Sequence, residues 1–323
     1  MITIEKYNHK MLNIWDDFIY HSNNGTIFHT RKFLGYHTER RFTDFSLMFY
    51  LKNKLVCVLP AAVTQKNLFS HPGASFGGLI IKEKTSFQVS QEIIKSLIDY
   101  CKQKFNSIII INTPSIYNNV FDESLNYLLL LNNFKYHENY ISHFVKINKC
   151  SNVSSLLNKR KKRYVEGLIK NKQFLISLSS NLEQFYKILL ESKLSFGIKP
   201  THSLAELKKL INIFPQHIKL FLSKDGNIVA GGVLVIYTSP KTCLVFYNAV
   251  KNKYKKSQLA ALQLYFCMQQ AKRDNVSIVD FGVSHEPQKK NPLSPKASLI
   301  QFKEQFGARG VSRNIYKRLL SDE

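Results

Sequence analysis

The chain has 323 residues, of which 44% are apolar, and this suits one or two soluble globular domains with full cores. No apolar run reaches the roughly 18 residues of a membrane-spanning helix, and the first residues lack the apolar segment of a secretion signal, so we expect a cytoplasmic protein. The formal net charge of +24 attracts polyanions, although lysines spread along the chain can equally be ordinary surface residues.

The five cysteines are scattered and include no Cys-x-x-Cys pair. Each lies within or at the edge of an apolar stretch. We therefore expect buried thiols, and neither a disulfide framework nor a metal site, from Cys57, Cys101, Cys150, Cys243 and Cys267.

The first half predicts alternating strands and helices. After a strand and two helical segments in residues 1–40, Lys52-Asn53-Lys54 separates two apolar runs and indicates a hairpin. The further elements expected here are hairpin strands at 45–51 and 55–64, a Gly-rich entry into a strand after 71, a helix at about 86–105, a strand at 107–112, a helix near 120–131 and a strand through 140–147.

A small polar stretch at 150–154 separates the halves. In the second half, the Asp225-Gly226 turn between two apolar runs is a strong hairpin signal. The elements expected are a basic helix that includes LysArgLysLysArg at 159–163, a strand at 174–178, two ordinary helices, the hairpin from 219, a third strand, a helix from about Ser257 (its N-cap) to Asp274, and a strand at 277–282.

The same order of elements occurs twice. Hairpins start at 45 and 219, helices at 86 and 257, and closing strands at 107 and 277. Self-similarity at one offset indicates a duplication. We therefore expect two domains, 1–150 and 151–323.

Two short motifs near the C-terminus resemble a known family. ValAspPheGlyValSer at 279–284 is followed by GlnPheLysGluGlnPheGlyAlaArg at 301–309. A strand end Asp-Phe-Gly-x-Ser followed by a helix Phe-Lys-x-x-Phe-Gly is similar to the signature of the FemAB-like tandem-GNAT acyltransferases, and hairpin, third strand, helix, strand is the order of the GNAT core. The resemblance implies an α/β fold with mixed sheets (α+β), built as two GNAT-like domains in tandem, with the acyl-transfer site in the second domain.

The resemblance also implies transfer of an acyl group to an amine. FemX-like peptidoglycan-bridge enzymes take an aminoacyl group from tRNA and often carry a long coiled-coil arm, for which this sequence has no sustained heptads. The other branch uses acyl-CoA and modifies amino sugars on nucleotide carriers. Our hypothesis from the sequence is an acyl-CoA-dependent N-acyltransferase without a metal. It would move an acetyl or 3-hydroxybutyryl group to a dTDP-3-amino-3,6-dideoxyhexose for surface polysaccharide such as lipopolysaccharide O-antigen. The alternatives are a FemX-type, tRNA-dependent aminoacyl transferase and a nucleic-acid-binding protein.

For the donor, the resemblance implies a site at the start of the helix that follows the third strand. A helix N-terminus suits a pyrophosphate. The glycines of the usual GNAT loop are absent here, and the lysines can equally form a solvated turn. The residues assigned to the acyl-CoA are Asn248, Lys255, Lys256, Ser257 and Gln258.

For the chemistry, Lys303 matches the family's intermediate-stabilising lysine, or else is a surface lysine between two core phenylalanines. Asp280 and His285 lie at and beyond the end of a strand, where α/β folds place ligands, and are candidate bases. Correct placement of the amine can also make a base unnecessary. Tyr247 or Tyr254 is the candidate proton donor to the leaving thiolate.

For the nucleotide-linked acceptor, the family uses basic residues from both domains. Carried over to this chain, these are Arg31 or Lys32 and Arg160 or Arg163, and Ser284, the last residue of the strand motif, is a further candidate for binding the acceptor. The alternative for the 159–163 cluster is a solvated helix face or nonspecific RNA binding.

Overall fold

The computed structural model describes residues 1–36, 43–148, 150–286 and 293–320. The chain divides into two compact units. Unit 1 is Met1–Tyr140 together with the C-terminal stretch from Ser312, and unit 2 is Ile141–Val311. Most of the C-terminal strand thus belongs to the first unit, and the division into tandem domains at residue 150 stays a prediction.

The helices are α1 (Leu12–Tyr20), α2 (Arg31–Leu34), α3 (Phe87–Cys101), α4 (Ser124–Leu131), α5 (Lys159–Lys170), α6 (Leu182–Leu194), α7 (Leu204–Ile213), α8 (Leu259–Arg273) and α9 (Ala297–Glu304). The strands are β1 (Ile2–Lys6), β2 (Thr43–Asp44), β3 (Leu47–Leu51), β4 (Lys54–Leu59), β5 (Ala62–Thr64), β6 (Asn67–Ser70), β7 (Ile80–Ile81), β8 (Ser107–Ile111), β9 (Lys135–Lys146), β10 (Leu175–Leu178), β11 (Ile218–Asp225), β12 (Ile228–Ser239), β13 (Thr242–Val250), β14 (Ile278–Val283) and β15 (Arg309–Leu319).

Unit 1 contains an antiparallel sheet in the order β1-β3-β4-β7 and a second sheet in which β15, β8, β6, β5 and β2 are neighbours. The β3–β4 turn uses Lys52 and Asn53 at φ 48° and 61°, where the predicted hairpin turns. In the second sheet β6 and β8 are parallel. Helix α3 lies between them in the chain, begins at an N-cap serine, Ser86, and buries Ile93, Ile94, Leu97, Ile98 and Cys101 in the core.

Unit 2 contains a sheet in the order β10-β11-β12-β13-β14-β9. Its strands β13 and β14 are parallel and are joined by α8, while β9 lies antiparallel to β14. Helix α8 has apolar residues on nearly all sides and buries nine residues, so the unit 2 core forms around it.

The two units repeat one arrangement: strand, 15-residue helix, parallel strand, then an antiparallel neighbour. In unit 1 this is β6, α3, β8 and β15, and in unit 2 it is β13, α8, β14 and β9. The predicted α/β class with mixed sheets is confirmed. One detail is wrong: the N-cap of α8 is Gln258 in the left-handed region (φ 61°), and the hydroxyl of Ser257 instead donates to the Tyr254 carbonyl at 2.7 Å.

Candidate functional site

The parallel strands of unit 2 separate part-way along their length. β13 and β14 pair over Thr242–Leu244 and Ile278–Asp280, and the ladder between them ends there, although β13 continues to Val250 and β14 to Val283. Beyond this point the edge of β13 that faces β14 is no longer paired with it and can meet a ligand, whereas Gly282 and Val283 of β14 bond Asp280 and Lys303. The C-terminal end of β13 also leads to the start of α8, so the opening and the helix N-terminus share one edge of the sheet.

Lys303 of α9 is tied to the end of β14. Its side chain is buried, and its Nζ donates to the carbonyls of Gly282 (2.7 Å) and Val283 (3.0 Å) and to Oγ of Ser284 (2.9 Å). These three acceptors match the three N–H groups of an ammonium. The alternative of a surface lysine between two phenylalanines is therefore wrong, because the ammonium points into the protein and fixes the strand end.

Ser284 also contacts a histidine that sequence reasoning missed. Its Oγ accepts from the ammonium of Lys303 and lies 3.0 Å from Nδ1 of His143, at hydrogen-bond distance. Burial, and then the charge of Lys303, lower the pKa of His143. His143 on β9 is therefore a buried imidazole whose charged form is disfavoured, at the end of a Lys–Ser–His chain.

Asp280 lies next to this chain and is completely buried. Its Oδ1 accepts from the hydroxyl of Ser142 on β9 (2.9 Å) and from the backbone N–H of Gly282 (2.7 Å). Gly282 has φ +74°, a conformation that favours glycine. The carboxylate thus stabilises the bend at which β14 leaves the ladder, and its role as a general base stays a prediction.

His285 follows the bend and forms an isolated antiparallel bridge with Pro295. The next residue, Glu286, pairs with Lys296 at 3.6 Å. The structure therefore places His285 on the segment that leads from the site to α9. Its catalytic role also stays a prediction.

The start of α8 faces a buried cation that the sequence did not single out. Nζ of Lys161 donates to Oε1 of Gln258, the N-cap of α8, at 2.7 Å and lies 5.0 Å from the ring centroid of Phe302. Its side chain is only 6% exposed, and burial followed by the charge of Arg160 lowers its pKa. Within the described ranges no carboxylate pairs with this lysine. A buried cation beside the free N–H groups of a helix N-terminus makes this a candidate anion site.

Tyr247 and Asn248 point to opposite faces of β13. Nδ2 of Asn248 donates to the Ala260 carbonyl of α8 (3.1 Å), and its Oδ1 is buried without a hydrogen-bond partner in the described protein. The hydroxyl of Tyr247 instead lies 2.9 Å from Nδ1 of His202, on the side of the sheet where α6 packs, and burial raises its pKa. The two predicted residues are therefore not brought together, and His202 is a partner that the sequence gave no signal for.

Lys255 and Lys256 are exposed in the 3-10 turn Asn252–Ser257 that precedes α8. Lys255 donates to Oγ of Ser195 at 2.8 Å and lies 5.4 Å from the ring of Phe196. Neither lysine is buried in the protein, so both can meet an anion that approaches the helix.

The residues predicted to hold a nucleotide-linked acceptor lie in different surroundings. In unit 1, Arg31 bonds Asp44 (2.6 Å) and Ser46 (2.9 Å) and stacks 3.9 Å from the ring centroid of Tyr7, so its guanidinium stabilises the unit 1 core, while Lys32 is exposed. In unit 2, Arg160 and Arg163 are exposed on α5. A role in acceptor binding stays a prediction for all four residues and for Ser284.

In the described part of the chain, no group of three or more His, Cys, Asp or Glu side chains is arranged to hold a metal ion. Among those same residues, no helix has the length and apolar character needed to cross a bilayer.

No protein-family model matches the chain, and no curated protein matches it. Solved structures do match. The fold is similar to that of FemX. The match has a TM-score of 0.74 at 13% identity and covers 98% of this chain and 97% of the FemX chain. L-PGS from Bacillus licheniformis matches with a TM-score of 0.60 at 13% identity, over 97% of this chain and 93% of its own.

The tandem GNAT protein from the clavulanic acid biosynthesis pathway matches with a TM-score of 0.54 at 8% identity, over 100% of both chains. At such identities the likeness concerns the fold. The predicted FemAB-like tandem-GNAT resemblance is confirmed at that level.

Proposed function

We propose that this chain transfers an aminoacyl group from a tRNA to an amine, as a FemX-type acyltransferase. The observation that carries the proposal is the similarity to FemX over nearly the whole length of both chains. It favours the alternative weighed from the sequence over the acyl-CoA and nucleotide-sugar hypothesis that was preferred there.

The missing arm does not count against this donor. Between β10 and β11 the chain forms only α6 and α7, of 13 and 10 residues. Yet this armless chain covers 97% of FemX, which leaves FemX too little unmatched chain for a long coiled coil. An arm is therefore no requirement for the FemX type.

The phosphates of a tRNA would supply negative charge next to Lys161 and the N-terminus of α8, where the donor would bind. Lys161 is a buried cation whose described partner is the neutral amide of Gln258, and buried charges are normally paired. A phosphate of the donor at the N-terminus of α8 would face this ammonium and the free N–H groups of the first turn. The net charge of +24 raises the local concentration of such a polyanion.

The opening between β13 and β14 is where the ester carbonyl would lie. The amine nitrogen bonds to the carbonyl carbon and loses a proton; the ester C–O bond breaks, and the leaving ribose oxygen gains a proton. Backbone N–H groups beyond the ladder would stabilise the oxyanion, an interaction whose loss typically costs about 10²–10³ in rate. His143, which contacts Ser284 beside Lys303, would accept the proton that the amine loses.

A second candidate is an acyl-CoA-dependent transferase acting on a nucleotide-linked amino sugar. The observation that favours it is the pair of exposed lysines, Lys255 and Lys256, just before α8, because a pyrophosphate suits this position. The acetyl or 3-hydroxybutyryl group and the dTDP-sugar belong to this candidate, whereas the cytoplasmic location predicted from the sequence is proposed for either donor.

The two candidate functions differ in the acyl donor, so an assay with both donors distinguishes them. The purified full chain is incubated with tRNA charged with ¹⁴C-labelled amino acids, or with acetyl-CoA or 3-hydroxybutyryl-CoA, each with a panel of peptidoglycan-precursor amines and dTDP- and UDP-amino sugars. We expect label to move from tRNA to an amine with no thiol release. Thiol release without aminoacyl transfer would establish the second candidate, and binding of tRNA without use of either donor would leave only a nucleic-acid-binding protein.

Lys161→Met tests the site itself, with Lys199→Met on an exposed lysine as its control. Methionine keeps an unbranched side chain of similar length and removes the charge. Because a hydrogen bond to a charged group contributes about 1.5–3 kcal/mol, we expect kcat/KM for the charged tRNA to fall about 10- to 100-fold. An unchanged value in a folded variant would show that the anion lies elsewhere.

A further inference from the structure

Helix α5 carries a cationic face that the proposed chemistry does not use. Of the five consecutive basic residues at 159–163, Lys161 alone is buried, and Lys162 pairs with Glu166 at 3.8 Å. The remaining cations, Lys159, Arg160 and Arg163, are exposed. The solvent side of the first turns of α5 is therefore strongly positive.

Two of these cations converge on one aromatic ring. The guanidinium carbons of Arg160 and Arg163 lie 5.8 Å and 5.7 Å from the ring centroid of Tyr164. Hydrogen bonds from Arg160 first, and then from Arg163, lower the pKa of the Tyr164 hydroxyl. The two arginines are thus held together around a flat, partly exposed ring instead of extending separately into solvent.

This face adjoins the donor end of the site within unit 2. Helix α5 packs against α8, and Lys161 on its inner side bonds the N-cap Gln258 at 2.7 Å. A polyanion whose end lies at the start of α8 would therefore pass over the outer side of α5.

We infer that the face of α5 formed by Arg160, Arg163 and Tyr164 binds the sugar–phosphate backbone of the donor tRNA next to its acylated end. The inference rests on the proposed tRNA donor. Guanidinium groups match phosphate geometry, and an aromatic ring packs against ribose or base. A membrane surface fits less well, because an interfacial helix needs a free apolar face, and α5 buries its Val165 against the core.

The test compares Arg160→Ala/Arg163→Ala with the native full chain and with Lys187→Ala/Lys199→Ala. The control removes two exposed cations from α6 and the segment after it, and α6 packs on the face of β13 opposite to α8. Fluorescence anisotropy with uncharged tRNA measures Kd between 50 and 200 mM salt, and melting curves show that the variants are folded.

Each phosphate contact contributes about 0.7–0.9 to the slope of log K against log salt. Loss of two contacts lowers the slope by about 1.4–1.8, so the ratio of variant to native Kd should shrink about tenfold across this fourfold range of salt. We expect this for the arginine variant and a native slope for the control. Equal slopes for both variants would overturn the inference. An arginine variant that binds tRNA like the native chain but no longer binds phosphatidylglycerol vesicles would also overturn it.

Failure of the inference is distinct from failure of the proposed function. If the native chain transfers no aminoacyl group from tRNA, the donor assignment is wrong. If it does transfer, and the arginine variant keeps the native Kd and KM for the charged tRNA, the donor assignment stands and the α5 surface is wrong.

Discussion

Replacement of Lys303 by methionine removes the ammonium at the end of β14 and keeps a side chain of similar length. The carbonyls of the half-buried residues Gly282 and Val283 and the hydroxyl of the buried Ser284 then lose the ammonium as a donor. The bend at Gly282, with φ +74°, loses the contact that joins it to α9. We expect a large loss of stability.

The magnitude follows from the three bonds, whose lengths are 2.7, 3.0 and 2.9 Å. A hydrogen bond from a charged donor contributes about 1.5 kcal/mol at the low end, so three contribute about 4–5 kcal/mol. Removal of one partner from a buried charged group typically costs about 3–5 kcal/mol, which agrees. We therefore expect the free energy of unfolding to fall by about 4 kcal/mol.

Urea unfolding followed by circular dichroism measures this change, with Lys199→Met as the control for the loss of an exposed lysine. The control should stay within about 0.5 kcal/mol of the native chain. Native-state hydrogen exchange should also accelerate at Ser284, whose N–H bonds the Ile141 carbonyl at 2.9 Å. A loss below about 1 kcal/mol at an unchanged m-value would refute the reasoning, because it would mean that the ammonium is not the anchor of the strand end.

Three further predictions concern the rest of the chain. Gly167→Ala should stabilise α5 by about 0.5–1 kcal/mol, because nothing lies near the added Cβ. Gly232→Ala should lower the free energy of unfolding by about 1–3 kcal/mol, because its Cβ would lie 2.8 Å from the Phe185 ring. The denaturant midpoints of the two glycine variants should therefore shift in opposite directions, and shifts in the same direction would contradict the prediction. Burial lowers the pKa of His29 from 6.5 to about 3, so the unfolded chain binds a proton that the native chain does not. The native chain should therefore have its full stability above pH 6.5 and lose about 2 kcal/mol of the free energy of unfolding by pH 5. A His29→Gln variant should lack this loss, and a variant that loses as much stability as the native chain between pH 7 and 5 would disprove the prediction. Of the five free thiols, only the half-buried Cys150 should react readily with a disulfide reagent in the native chain, because burial raises the pKa of Cys57, Cys101, Cys243 and Cys267; rapid labelling of two or more would be inconsistent with these buried positions.

Local patterns were enough to predict most of the element order, although β2, β6 and the C-terminal strand β15 were not predicted. Helical spacing of apolar residues located α3 and α8, and turn residues located the β3–β4 and β11–β12 hairpins, to within a few residues. The motifs at 279–284 and 301–309 indicated the FemAB-like tandem-GNAT fold. The exact start of α8 was missed. The prediction relied on the preference of serine for the N-cap position, but the N-cap is Gln258 in a left-handed conformation, which that preference does not predict.

Within the candidate site, the sequence singled out Lys303, Asp280, Ser284 and Gln258, whose roles stay predictions, but gave no signal for the side chains that they bond. His143 lies 141 positions from Ser284 along the chain, and Lys161 lies 97 positions from Gln258. No spacing rule links residues so far apart.

The sequence by itself determined the alternation of strands and helices, the strong positive charge and the motifs of the strand end, because each depends on residues close together in the chain. Only the tertiary structure decided which member of the 159–163 run is buried and which members face solvent. It also decided that Lys303 anchors a bend inside the protein. The physical reason is that the burial of a given charge depends on the helix or strand packed against it, and these partners come from distant parts of the chain.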